Sequence, residues 1–169
     1  MELWELAARE ACRDTLAQYT HAGDRYRLEE YAAAFCEDGV LEIRGSEPAR
    51  GRAAIIEAIT SRVPAYRPPG PGAPVTVTGT GTGTGAGAGA RTGTAKRIVR
   101  HNVTNVRFES LTFDEAVLAS YFTVFTEIGL DHMGRYRDRL VPVGDRWLIA
   151  HRFVSTDWRA PDSTFAERR

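Results

Sequence analysis

The spacing of apolar side chains predicts mostly helical structure in the first 62 residues. Apolar positions recur every three or four residues from 2 to about 20, and Gly23 is expected to end this first helix. The turn signal Glu37-Asp38-Gly39 separates two further predicted elements. The elements predicted after the first helix are a second helix at about 27–36, a short strand at 40–44 and a third helix at 51–62.

The second half of the chain changes to a strand pattern. Residues 98–110 are rich in β-branched and aromatic side chains and contain no Gly or Pro. Further strands are predicted at 116–128, 135–143 and 147–156. Helices followed by an antiparallel meander are typical of an α+β fold. A curved sheet of four to six strands around the helices would form a cone, whose interior is the expected place for a small ligand.

A segment rich in Pro, Gly and Thr, at about 66–95, separates the two halves. It has almost nothing to bury and a high ordering entropy, so we expect a flexible loop within a single domain at 1–169. The glycines at 79–89 occupy odd positions only, which does not match a phosphate-binding glycine motif. A lid over the cavity mouth is an open alternative.

Charge and cysteine content exclude several classes of function. The 22 basic residues balance 22 acidic ones, so no overall field favours nucleic acid or an anionic membrane. Cys12 and Cys36 match no metal, redox or disulfide pattern. No apolar run approaches the ~20 residues of a membrane span, and the charged N-terminus does not resemble a signal peptide. We therefore expect a cytoplasmic protein with no nucleic-acid or membrane partner.

The strand at 98–110 carries the first candidate for chemistry. A period of two places His101, Val103 and Asn105 on one face, which mixes polar and apolar side chains as a cavity lining does. A histidine can act as a base near neutral pH because its ordinary pKa is about 6.5. The alternative is a histidine with a purely structural role in the core or at its rim.

Seven short patterns occur in one order along the chain. They are Tyr19…Asp24, Phe35-x-x-Asp38-Gly39, Gly51-Arg52-x-x-Ile55, Arg100-His101-x-x-x-Asn105, Ala116-x-x-x-Ser120-Tyr121, Gly134-x-Tyr136-x-Asp138 and Trp147-x-Ile149-x-x-Arg152. This ordered set resembles the SnoaL-like branch of the nuclear transport factor 2-like superfamily. The resemblance covers nearly the whole chain apart from the loop and the C-terminal tail.

Within that branch the chain is similar to hexachlorocyclohexane dehydrochlorinase, scytalone dehydratase and bile-acid dehydratases. The resemblance implies a cofactor-free lyase or isomerase of dehydratase or cyclase type, acting on a hydrophobic small molecule in secondary metabolism. It implies a catalytic Asp24–His101 pair, with Tyr19 helping the leaving group or a substrate oxygen. The alternatives are a capping role for Asp24 and core packing for Tyr19.

Four further residues are candidates for substrate binding: Asn105, Tyr121, Tyr136 and Arg152. For Arg152 the alternative is an ion pair with a carboxylate. Two family features are missing from the sequence pattern. No position matches the second active-site histidine of scytalone dehydratase, and the arginine of bile-acid dehydratases would fall near Ser155 or Thr156.

Other readings of the chain stay open. The same fold also serves non-catalytic ligand-binding or assembly modules. Epoxide hydrolysis would need a second carboxylate in the cavity, for which Glu42 and Asp138 are the candidates. No metal is expected, because the remaining histidines, His21, His132 and His151, have no metal-site spacing and His132 is predicted in or near a turn.

The predicted sheet has a broad outer face. A stripe formed by Arg135, Arg137 and Arg139 is expected to face solvent or another subunit. We expect a homo-oligomer, a dimer or a trimer, because an open curved sheet leaves this face to be covered. Phe108, Phe122 and Phe125 are the candidate contributors.

Overall fold

The structure is a computed structural model that describes residues 1–62, 98–163 and 165 of the 169-residue chain. The elements are α1 (Leu3–Asp24), α2 (Leu28–Ala32), β1 (Phe35–Ile43), β2 (Ala49–Arg50), α3 (Arg52–Arg62), β3 (Val99–Leu111), β4 (Ala116–Thr126), β5 (Gly129–Val143) and β6 (Arg146–Arg159). The segment predicted as a flexible loop, 66–95, lies outside the described residues. None of the described helices has the length and apolar character needed to cross a membrane.

The strands form one mixed sheet in the order β2-β1-β6-β5-β4-β3. Strands β3 to β6 are the predicted antiparallel meander, and β1 joins it by pairing in parallel with β6. Helix α1 packs against β3 and β6, while α3 packs against α2 and the β1–β2 edge. Helices at the N-terminus and a curved sheet wrapped around them confirm the predicted α+β cone.

The core lies between α1 and the inner face of the sheet. Strand β5 shows why: Tyr136, Asp138 and Leu140 are buried, whereas the arginines between them are exposed. Alternation with a period of two gives the strand one inner and one outer face. The large side chains of the core are Tyr19, Tyr31, Phe35, Leu41, Ile55, Leu118, Phe122, Tyr136, Leu140 and Ile149.

Helix α1 continues past Gly23, so the predicted end of this helix is wrong. Gly23 lies where the Tyr31 ring packs, and a Cβ there would be 3.4 Å from two ring carbons. The glycine therefore provides room for close packing inside the helix, and the chain turns only at Tyr26, whose φ is +56°. As a result, Asp24 is on the last turn of α1.

Two other boundaries differ from the prediction. Helix α2 is short, because Phe35 already pairs with Ile149 as the start of β1. A short apolar run at a helix end cannot be distinguished by spacing from the start of a buried strand. Strand β5 begins at Gly129 and not at 135, because it pairs with β4 along its whole length, from Thr126 opposite Gly129 onwards.

A β-bulge interrupts β3. Thr104 lies opposite Tyr121 and Arg107 opposite Ala119, so Asn105 and Val106 together face the single residue between those partners. A bulge inserts one residue and reverses which side chains point inward beyond it. Val103 before the bulge and both Val106 and Phe108 after it pack against the core.

Candidate active site

A cavity of about 490 Å³ opens between the helices and the inner face of the sheet. Strands β3 and β5 contribute the imidazoles of His101 and His132, and helices α1 and α2 contribute the phenols of Tyr19 and Tyr31. Its apolar wall includes Leu28, Ile43, Ile59, Val99, Phe122 and Val154. The cavity is therefore mainly hydrophobic, with a few polar groups at defined places, as ligand sites in proteins commonly are.

Asp24 and His101 are paired at this cavity. The Asp24 carboxylate lies 2.6 Å from His101 Nδ1, and both its oxygens accept from the His101 backbone N–H at 3.2 Å. A carboxylate only accepts hydrogen bonds, so Nδ1 carries the hydrogen and Nε2 holds the free lone pair. The Asp24 side chain is 9% exposed and that of His101 is 23% exposed, so the histidine is the partner that reaches the cavity.

The contacts of Asp24 with His101 also test the alternative that Asp24 caps a helix. The N-cap of α2 is Arg27, and no side chain caps that helix. The Asp24 carboxylate points instead across to β3, where it binds both the ring and the backbone of His101. Its position on the last turn of α1 makes this reach possible.

A second aspartate–histidine pair lines the same cavity. His132 Nδ1 lies 2.6 Å from Asp131 Oδ1, and the Asp131 side chain is 1% exposed. Burial lowers the pKa of His132 below its ordinary value, although Asp131 opposes this effect. The His132 ring lies edge-on to that of His101, with 6.5 Å between ring centroids. Two imidazoles, each held by a carboxylate, therefore face one space.

The prediction that His132 lies in or near a turn is wrong. It lies on β5, on the same face as Tyr136, and a bulge at Asp131 buries both members of the pair. The sequence contained the signal: His132, Gly134, Tyr136 and Asp138 follow one another at intervals of two. Gly134 weakens this signal, because Gly is uncommon inside strands.

Gly134 is needed for the shape of the cavity wall. A Cβ at Gly134 would lie 2.0 Å from the Ser155 carbonyl oxygen and 2.8 Å from the Phe122 ring. Phe122 pairs with Gly134 across the strands, stacks on Tyr136 at 4.5 Å and meets His132 edge-on at 5.9 Å. The missing side chain thus lets Phe122 fill the wall between the histidine and the tyrosine.

Three tyrosines form a polar floor for the cavity. The Tyr31 hydroxyl donates to the Tyr19 hydroxyl at 2.8 Å, and the Tyr19 ring meets the Tyr136 ring edge-on at 6.1 Å. Burial raises the pKa of Tyr31 and of Tyr136 well above their ordinary values, so both phenols keep their protons at neutral pH. The predicted residues Tyr19 and Tyr136 do lie at the cavity, and Tyr31 is an addition that the sequence did not reveal.

Arg152 lies beneath this floor and does not line the cavity. Its guanidinium makes two hydrogen bonds of 2.7 Å to Asp138, and both side chains are fully buried. Its Cζ lies 4.0 Å from the Tyr19 ring centroid and 4.2 Å from that of Tyr136. Burial alone would lower the pKa of Arg152, but Asp138 outweighs it and the pKa is raised. The prediction that Arg152 contacts substrate is therefore wrong, and its alternative, a carboxylate ion pair, is confirmed.

Two other predicted substrate-binding residues lie outside the cavity. Asn105 is exposed in the bulge of β3, with a φ of +53°, because the bulge moves it off the face of His101. Tyr121 is 52% exposed, because β4 turns its neighbour Phe122 inward and places Tyr121 on the outer face. A period of two could reveal neither the bulge that displaces Asn105 nor which face of β4 is the inner one.

The candidate carboxylates for epoxide hydrolysis are also elsewhere. Glu42 binds His151 at 3.0 Å and does not line the cavity, and Asp138 is occupied by Arg152. His21 contacts Arg25 at the exposed end of α1. Among residues 1–62, 98–163 and 165, no group of three or more His, Cys, Asp or Glu side chains could hold a metal ion.

The fold and the site define the class of protein: an α+β cone whose cavity is lined by two histidines, each paired with an aspartate. The family model described as a SnoaL-like domain matches residues 4–153, so the chain belongs to the SnoaL-like family. No curated protein matches the chain significantly.

Solved structures with the same fold are numerous. A proposed scytalone dehydratase from Novosphingobium aromaticivorans is 18% identical, with a TM-score of 0.68 over 98% of this chain and 91% of that one. ActVI-ORFA from Streptomyces coelicolor is 18% identical, with a TM-score of 0.63 over 88% and 96%. A protein from Catenulispora acidiphila, solved in complex with S-DNPA, is 25% identical, with a TM-score of 0.66 over 90% and 95%.

Proposed function

We propose that the protein is a cofactor-independent lyase or isomerase, of dehydratase or cyclase type, that acts on a hydrophobic small molecule by histidine–aspartate general acid–base catalysis. The observation that carries this proposal is the 2.6 Å contact between Asp24 and His101 Nδ1 at the wall of a mainly hydrophobic cavity. It leaves Nε2 of His101 as a base directed by a buried carboxylate.

In the dehydratase form, His101 Nε2 takes a proton from a carbon beside a substrate carbonyl. The C–H electron pair forms the new double bond, and the C–O bond to the neighbouring hydroxyl breaks. The imidazolium, stabilised by Asp24, returns the proton to the departing hydroxide, which leaves as water. Such a positioned base contributes roughly 10²–10⁴-fold to the rate.

The tyrosine floor supplies hydrogen-bond donors for the oxygen on which negative charge develops. Tyr31 donates to Tyr19, and Tyr19 is also hydrogen-bonded to Tyr136, so the three hydroxyls form one network from which a substrate oxygen can accept. Fixed donors at such an oxygen lower the barrier because they need no reorganisation during the reaction. The buried Arg152, stacked against Tyr19 and Tyr136, adds a positive charge behind them.

His132 has a different role from His101. Its lowered pKa keeps it neutral at pH 7, and Asp131 occupies its Nδ1, so its Nε2 is an acceptor. A neutral acceptor opposite His101 can accept a hydrogen bond from the substrate hydroxyl. It thereby holds this leaving group beside His101, which supplies the proton. We assign His132 to orienting the hydroxyl.

The substrate class follows from the cavity. About 490 Å³ with aromatic and aliphatic walls suits a two- or three-ring molecule with few polar atoms, such as a polycyclic or polyketide-like β-hydroxy ketone of secondary metabolism. The name of one structurally similar protein, a proposed scytalone dehydratase, is in line with this class.

Turnover of a panel of aromatic β-hydroxy ketones, followed by the absorbance of the conjugated product, tests the proposal. His101→Gln should lower kcat/KM by roughly 10²–10⁴-fold while the thermal unfolding midpoint stays near that of the wild type. The matched control is His151→Gln, since His151 is paired with Glu42 away from the cavity. Full activity in His101→Gln would reject the proposal.

The alternative is a non-catalytic module that binds a small molecule in the same cavity. It makes a different prediction in the same experiment: tight binding by wild type and His101→Gln alike, with no product formed by either. A binding titration run beside the turnover assay separates the two functions.

A further inference from the structure

Residues 160–163, which follow β6, lie against the second aspartate–histidine pair, Asp131 and His132. The Ala160 backbone N–H donates to the carbonyl of Asp131 at 2.7 Å, and the Ser163 N–H donates to the carbonyl of Ala160 at 3.1 Å. These bonds fold residues 160–163 into a turn against the start of β5. The turn therefore lies against the pair and not in solvent.

Ser163 is directly bonded to the carboxylate of that pair. Its hydroxyl donates to Asp131 Oδ1 at 2.6 Å, and this is the same oxygen that lies 2.6 Å from His132 Nδ1. The other oxygen accepts from the Thr126 hydroxyl at 3.3 Å. With three donors and 1% exposure, the Asp131 carboxylate is held in one orientation.

The same serine also ties down an aromatic residue of the cavity wall. The Phe165 backbone N–H donates to Ser163 Oγ at 3.2 Å. The Phe165 ring lies 5.3 Å from the His132 ring, between centroids, and lines the cavity. One hydroxyl thus connects the carboxylate behind His132 with the aromatic residue beside it.

We propose that Ser163 is a positioning residue for His132, fixing its tautomer and ring orientation through Asp131, and that Ser163 and Phe165 themselves belong to the active site. The inference rests on the proposed function for its catalytic meaning. The positioning itself is a property of the resting protein. Ser163 touches no substrate and acts only through Asp131 and Phe165.

The hydrogen bond from Ser163 to Asp131 determines the direction in which the pKa of His132 should move when the serine hydroxyl is removed. A hydroxyl that donates to Oδ1 draws off part of the negative charge that would otherwise stabilise a His132 imidazolium. Removing it strengthens the remaining bond to His132 and favours the protonated ring. Among the described residues, the other charged and titratable groups facing His132 are His101 with its partner Asp24, from β3 and α1, and Arg159, from β6, and the substitution replaces none of them.

Nitrogen-15 NMR of the imidazole rings across pH tests the proposal in the full chain. Ser163→Ala should move the titration midpoint of His132 upward, whereas Ser163→Thr, which keeps the hydroxyl, should restore the wild-type curve. Ser110→Ala, an exposed serine on β3, is the matched control. Thermal unfolding of each variant identifies any that fails to fold, in which case Ser163→Thr and Ser163→Cys provide the comparison.

Turnover supplies the second readout. Ser163→Ala should lower kcat/KM roughly tenfold, the loss typical of one hydrogen bond to a charged group, and Ser163→Thr should recover it. An unchanged His132 titration in folded Ser163→Ala would overturn the proposal. If the wild type shows no turnover while the His132 curve still moves, the positioning role stands and the proposed function fails.

Discussion

The Asp24 carboxylate lies 2.6 Å from Nδ1 of His101, although 77 positions separate the two residues in the sequence. Two features of the fold bring them together. Helix α1 ends at Asp24, one residue past the glycine predicted to end it, and β3 passes beside its end. Because the carboxylate also accepts the His101 backbone N–H, it fixes both the strand and the ring.

The pH dependence of stability should report on His132. Burial lowers its pKa in the folded state, while in the unfolded chain it returns to about 6.5. Below about pH 6.5 the unfolded state then binds more protons, so the free energy of unfolding falls as the pH drops toward the lowered pKa. Above about pH 6.5 this contribution is constant.

Denaturant unfolding of the wild type and His132→Gln between pH 5 and 8 measures this effect. On acidification, the free energy of unfolding of the wild type should fall by more than that of His132→Gln. The buried placement of His132 would be contradicted if the two free energies of unfolding differed by the same amount at every pH. It would also be contradicted if the wild type lost less stability in acid than His132→Gln.

The buried pair of Arg152 and Asp138 should be costly to break. Asp138→Asn leaves a fully buried guanidinium without its counter-charge, which costs about 3–5 kcal/mol. Asp157→Asn is the matched control, since it breaks the exposed pair with Arg135 and should change stability little. Chemical denaturation compares the two, and equal effects would show that the Arg152 pair does not carry the predicted energy.

Gly134→Ala should destabilise the protein even though the change adds a single methyl group. The new Cβ would lie 2.0 Å from a backbone carbonyl and 2.8 Å from the Phe122 ring, so the strands must shift. Overpacking of this kind costs about 1–3 kcal/mol. The unfolding midpoint in denaturant checks it, with Arg137→Ala on the outer face of the same strand as control. A midpoint equal to that of the wild type would show that β5 and β6 are further apart than described.

Homo-oligomerisation stays a prediction. The outer face of the sheet exposes Tyr121, Phe125 and Trp158, at 52%, 44% and 43%. Of the phenylalanines predicted there, Phe122 is buried at 2%, and Phe108 packs on the core with the Arg9 guanidinium 4.5 Å above its ring. Light scattering after size exclusion should show a dimer or trimer, which Tyr121→Glu should weaken. A monomer at high concentration would contradict the prediction.

The sequence predicted those parts of the molecule that depend on local periodicity. Helix α1, the four long strands and the pairing of Asp24 with His101 follow from apolar spacing together with a family resemblance. The residues that it misplaced depend on pairing between distant strands. The bulge in β3 moved Asn105 to the outside, and pairing with β4 extended β5 back from the predicted start at 135 to include His132.

A double-mutant cycle on kcat/KM with Asp24→Asn, His101→Gln and the combined variant tests the central claim most directly. If Asp24 acts by holding His101, the two substitutions remove the same catalytic unit. The combined variant should then be no slower than His101→Gln alone. Losses that multiply, so that the double variant is slower by the product of the two single effects, would show that Asp24 and His101 act independently.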